Sequence, residues 1–209
     1  MAIMLLAPIG ASATVQTPDE IRIGESVYPL CMRPILASYF AEHPAYDISK
    51  GTGGKFEPCN PNSDEELETI STDLFRGYVA RLAFVDGRLV VEEMWTSNFG
   101  WDTNWTPVIE CAMPDPKSRN LDWYSGVLYY LRIDQVENGE DEQEEYSLFQ
   151  VGIESGRLVS SKKLRSEIHG SSSGISCSAG WGDEPAEEPI ISRWCTTDSP
   201  SSSECVDVE

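Results

Sequence analysis

The sequence predicts a mainly β protein of the α+β kind. It reads as an antiparallel meander of about five to seven strands, in a curved sheet, barrel or sandwich, with two short N-terminal helices and a disulfide-pinned, poorly ordered C-terminal extension. Three observations carry this. From Gly77 onward apolar residues alternate with a period of two. Two turn dipeptides, Asp86-Gly87 and Ser155-Gly156, each separate a pair of such runs. Six cysteines, at 31, 59, 111, 177, 195 and 205, are spread through the chain with no C-x-x-C pair among them.

At the N-terminus an apolar run from Ile3 to Ile9 is followed by Ala11 and Ala13 in the spacing of an export-signal cleavage site, although no Lys or Arg precedes the run. Residues 1–13 are therefore expected to be a signal peptide, 14–164 a single β-rich domain, and 165–209 a Ser-, Gly- and acid-rich tail. The expected location is periplasmic or extracellular. No other run approaches the ~20 apolar residues of a membrane span, so membrane insertion is not expected after signal removal.

Leu30, Ile35, Leu36, Tyr39 and Phe40 lie at helical spacing within Pro29–Glu42. Residues 43–62 are rich in Gly, Pro and Asn and read as a loop. Ser63 and Glu66 form a capping box that starts a second helix, ending near Phe75.

The first hairpin joins Tyr78–Val85 to Arg88–Trp95 through Asp86-Gly87. A two-residue turn sets Phe84 opposite Leu89, Leu82 opposite Val91, Ala80 opposite Glu93 and Tyr78 opposite Trp95, with Arg81 answering Glu92 on the other face. The second block alternates through Val127, Tyr129, Leu131 and Ile133, and again through Phe149, Val151 and Ile153. An acidic loop from Gln135 to Glu145 separates these strands, and Ser155-Gly156 leads into Arg157-Leu158-Val159, echoing Arg88-Leu89-Val90.

Close cysteine pairs with histidine, the usual pattern of zinc sites, are absent, and His43 and His169 are the only histidines. Disulfides are expected instead, as Cys31 with Cys59, Cys177 with Cys195 and Cys111 with Cys205.

The formal net charge of -20, from 35 acidic against 15 basic residues, makes nucleic acid an unfavourable partner and a cationic protein a favourable one. No cofactor is expected. Gly170–Gly174 matches the G-x-S-x-G pattern of a nucleophile elbow, but polar residues precede it, no helical pattern follows it and no histidine lies downstream. Gly51-Thr52-Gly53-Gly54-Lys55 lacks phosphate-loop spacing, with Phe56 where a hydroxyl residue belongs.

Three candidate sites follow. Asp134, Glu137, Glu140 and Asp141 supply oxygen ligands for calcium, without EF-hand spacing. Glu93, placed on the apolar face by the predicted register, and Asp102 are the carboxylates available to a glycan or envelope-polymer hydrolase. The segment from Trp95 to Trp105 combines rings with Asp102 and Asn104. With Trp101 and Trp105 it reads either as a glycan- or protein-binding surface or as rings packed over the core, where Trp95 is expected. Asn104-Trp105-Thr106 is also a glycosylation sequon. The expected function is thus a noncatalytic envelope binding protein, with a carboxylate hydrolase or a purely structural module as alternatives.

Overall fold

The alternation after Gly77 folds as expected near its turn: strand β3 (Val79–Val85) pairs antiparallel with β4 (Arg88–Ser97). Asp86 and Gly87 both take positive φ, the geometry of a type I′ turn, whose twist matches that of the flanking strands. The computed structural model describes residues 17–32, 34–43, 77–97, 105–138, 141–170, 173–177, 189 and 191–195, with the backbone alone for Ser97, 137–138, 141–142, 170, 173–174 and 192–195. The expected signal peptide and second helix lie outside these residues.

Two strands precede the hairpin, β1 (Glu20–Ile23) and β2 (Ser26–Pro29). β2 pairs antiparallel with β1, while β1 runs parallel to β3, which makes the sheet mixed rather than a pure antiparallel meander. The buried Asp19 carboxylate fixes this junction by accepting the Ala80 N–H at 2.8 Å. Helix α1 (Leu36–Glu42) is shorter than predicted. Pro29 belongs to β2, and Pro34, which fixes φ and disfavours helix in the residue before it, delays the start. α1 buries Leu36, Tyr39 and Phe40, the last edge-on to Tyr78 at 5.3 Å.

After β4 come β5 (Trp105–Pro107), the single-turn helix α2 (Ile109–Ala112) and a 3₁₀ turn at Pro116–Arg119. Strands β6 (Gly126–Asn138), β7 (Asp141–Glu154) and β8 (Arg157–Gly170) form a long antiparallel arm. The predicted acidic loop is mostly ladder, with Asp134 opposite Glu145 and Asn138 opposite Asp141. A second type I′ turn, Ser155-Gly156, joins β7 to β8. The eight-stranded sheet has the order β2-β1-β3-β4-β8-β7-β6, with β5 beside β4. Its halves meet where the two turns abut: Arg88 pairs with Arg157, and the Leu89 N–H donates to the Gly156 carbonyl at 2.7 Å. The edges touch through a bridge between Leu30 and Tyr130, so the sheet curls without closing.

The predicted tail begins too early, because β8 continues past 165 to Gly170. Beyond it, β9 (Ser173–Cys177) and β10 (Ile191–Cys195) form a separate antiparallel hairpin.

A β-bulge between Arg81 and Leu82 alters the predicted register of the first hairpin. Phe84–Leu89 and Leu82–Val91 pair as expected, but Glu92 is the extra residue. Arg81 then faces Glu93, and Ala80 faces Met94. Every later side chain of β4 changes face. Met94 is fully buried, while Glu93 and Trp95 turn to the outer face, so Trp95 is half-buried outside the main core.

The β6–β7 pair is apolar on both faces. Phe149 and Val151 pair with Tyr130 and Leu128 and join the main core with Ile21, Leu82, Met94 and Leu121. Tyr129, Leu131, Tyr146 and Leu148 point the other way, into a second cluster completed by Ile175 of β9, Ile191 of β10, and Cys31 and Cys177. The two alternating series of the sequence thus serve opposite faces.

Cys31 is bonded to Cys177, which overturns the expected Cys31–Cys59 and Cys177–Cys195 pairings. The bond anchors the β9–β10 hairpin over the second cluster. Cys111 is also disulfide-bonded, to a cysteine whose side chain lies outside the described residues; the expected pairing with Cys205 falls on such a residue.

Candidate functional site

The outer surface of β1, β3, β4 and β5 gathers the most organised set of charged and aromatic side chains. Because β1 runs parallel to β3, Glu20 falls beside Arg81 and Arg22 beside Ala83. The Arg81 guanidinium donates to Glu20 at 2.8 Å and to Glu93 at 2.7 Å, and lies 4.6 Å from the centre of the Trp95 ring. Arg22 grips Glu92 with two donors, at 2.7 and 2.5 Å. The bulge thus gives both glutamates an arginine: Glu92 reaches Arg22 and Glu93 reaches Arg81.

Hydrogen bonding to Arg22 holds the Glu92 carboxyl below its ordinary range, against the effect of partial burial, and the charges of Arg22 and Arg81 add to the lowering. A carboxylate depressed in the folded state stabilises above its unfolded pKa and loses that contribution as pH falls through the folded value. Glu92→Gln is therefore expected to lower stability near neutral pH by up to about 1 kcal/mol, the scale of a partly exposed pair. Its deficit against the parent should shrink as pH falls below the ordinary carboxylate range and through the lowered folded-state value. Urea titrations of both proteins across that range check this; a deficit independent of pH contradicts it.

β5 continues the same surface. Thr96, opposite Thr106, is buried, so alternation places Trp95, Pro107 and Trp105 on the outer side. Trp105 is 47% exposed. The buried Thr96 hydroxyl has no hydrogen-bond partner among the described residues.

Of the predicted ligand-binding residues, Trp105 is on this face, while Trp101, Asp102 and Asn104 lie outside the described residues, between β4 and β5. Glu93 is not the carboxylate on the apolar face that the hydrolase reading required; it is ion-paired and 46% exposed. Its proposed companion Asp102 is not described.

Asp134 is paired with Arg132 at 2.7 Å within a strand, and the ladder of β6 and β7 continues to Asn138 and Asp141. The side chains of Glu137 and Asp141, and all of Glu140, lie outside the described residues. Among the described residues no three or more acidic, histidine or cysteine side chains are grouped so as to hold a metal ion.

A second polar cluster escaped the sequence reading because its members come from three strands. Tyr146 donates its hydroxyl to Glu144, which also accepts from Gln135 at 2.9 Å; His169 lies edge-on to Tyr146 at 5.4 Å and 3.3 Å from Glu167. Burial first, then the bond to and charge of Glu144, push the Tyr146 phenol up to about 12. A phenol kept protonated this way is a hydrogen-bond donor, and here it serves its own glutamate. The only advance signal was alternation, which gives the faces but not the partners.

Compared with family models, curated proteins and solved structures, the chain matches none. No helix among the described residues is long and apolar enough to cross a membrane.

Proposed function

We propose that this chain is an exported, noncatalytic binding protein that engages a cationic protein through its acidic surface. The observation that carries the reading is how its few cations are used. Arg22, Arg81, Arg88, Arg119, Arg132 and Lys163 each sit within ion-pair distance of a carboxylate of the same chain. With a formal charge of -20, carboxylates are left in large excess to attract a basic partner. The disulfide Cys31–Cys177 is compatible with export to an oxidising compartment. The engagement of Glu93 by Arg81 on the outer face weighs against the hydrolase alternative, since a general acid needs its carboxyl uncommitted and aimed at the substrate.

Association with a basic protein, measured calorimetrically with lysozyme and cytochrome c as probes, is expected at low ionic strength. It should weaken steeply toward about 0.5 M salt, where the screening length falls below ~5 Å. Absence of binding to both probes at low salt removes the proposal.

A further inference from the structure

We infer that the contact with the cationic partner is anchored at Trp105, whose exposed indole seats a lysine or arginine side chain of the partner. The inference rests on the binding-protein reading above and adds its site and chemistry.

The chain already contains the arrangement in miniature. Arg81 lies over Trp95 at 4.6 Å, inside the ~6 Å range of a cation–π contact, and is clamped from both sides by Glu20 and Glu93. Trp95 is therefore occupied by an internal cation. Trp105 occupies the next position of the same surface: it pairs with Ser97, two residues beyond Trp95, and β5 alternation turns it outward beside Pro107. Yet it is 47% exposed. β5 is only three residues long and pairs only with β4 among the described strands.

Charge selects the occupant. On this surface Glu20, Glu92, Glu93 and Asp122 are ion-paired to Arg22, Arg81 and Arg88, leaving one surplus carboxylate within a strongly acidic protein. An anionic partner is repelled. A sugar would also stack on an indole, but its hydroxyls need uncommitted donors and acceptors beside the ring. Here the guanidinium forks of Arg22 and Arg81 are already engaged by the three glutamates. A cation needs only an exposed ring face on a protein of opposite charge, and Trp105 is 47% exposed on a chain of formal charge -20.

The test uses the full chain with cytochrome c, the same protein with its lysines acetylated, and a soluble N-acetylglucosamine oligomer as probes. Trp105→Ala is expected to weaken cytochrome c binding at low salt about five- to tenfold, Trp105→Phe to recover part of the loss, and acetylated cytochrome c to bind weakly to all forms. Trp123→Ala, at another exposed tryptophan, should bind as the parent does. Equal loss in the Trp105 and Trp123 variants, or no loss in Trp105→Ala, overturns the Trp105 anchor while leaving the cationic-partner proposal standing. Trp105-dependent binding of the sugar oligomer, without dependence for cytochrome c, overturns it in favour of a glycan. If neither basic probe binds the parent protein, the broader proposal falls and takes the anchor with it.

Discussion

A Cys31→Ala, Cys177→Ala double variant is expected to lose about 4–5 kcal/mol of stability and roughly 10–20 °C of thermal midpoint. The bond spans 146 residues, so its removal releases one of the largest loops the chain can form in the unfolded state. The folded state loses something as well. β9 and β10 form their own two-stranded sheet, without a ladder to the main one, and rest on it through Ile175, Cys177 and Ile191. Without the bond, the hairpin should open at lower free energy than the rest of the molecule. Two measurements check this: calorimetry of the variant, and amide exchange, which should accelerate in Ser173–Cys177 and Ile191–Cys195 before β3 and β4. A midpoint within about 2 °C of the parent contradicts the assignment. Substitution is preferable to a reducing agent, since a reductant also attacks the bond at Cys111.

Gly156→Ala is expected to destabilise by roughly 3 kcal/mol or more, and Gly87→Ala by only about 1 kcal/mol, although both glycines end type I′ turns. The shared cost is a left-handed backbone, with φ of 70° at Gly156 and 74° at Gly87. The difference is steric. A Cβ at Gly87 meets nothing within 4 Å, whereas one at Gly156 falls 2.7 Å from the Leu121 carbonyl oxygen and 2.9 Å from the Asp122 Cα. Those neighbours are backbone and cannot rotate away. Relief requires separating the turn from residues 121–124, which are tied in by the Gly156 N–H to the Tyr124 carbonyl at 2.8 Å and the Leu121 N–H to the Leu89 carbonyl at 3.0 Å. Urea midpoints of the two variants make the comparison, and equal shifts contradict it.

These turns also mark what the sequence made legible. Asp86-Gly87 and Ser155-Gly156 could be read because turn chemistry is local: two adjacent residues must accept positive φ. The Glu92 bulge could not, since Glu92 and Glu93 are the same residue type and only Arg22, 70 positions away in the chain, distinguishes them. That one insertion moved Glu93 off the apolar face and Trp95 out of the main core. β1 and β2 were missed because short strands carry little periodicity, and β1's parallel pairing depends on Asp19 and β3 being brought together by the fold. Of the aromatic segment, the outward position of Trp105 follows from simple alternation in β5, but it could be applied only once Thr96 and Thr106 were known to face inward. The Cys31–Cys177 pairing was hidden because it joins opposite ends of the described chain, and spacing favours nearer partners.

Two-sided burial of β6 and β7 weakens a safeguard that most sheets possess. Where one face is wet, a strand that slips by a single residue betrays itself by drowning its apolar side chains. A one-residue slip of β7 against β6 sets Leu148 where Phe149 sits and exchanges one apolar side chain for another there. Polarity registers the error only at the neighbouring positions, where Gln150 would take the place of Val151 and Glu145 that of Tyr146. The rest of the alignment rests on the corner at Ser155-Gly156, which fixes β7 against β8 and the neighbouring segment at 121–124.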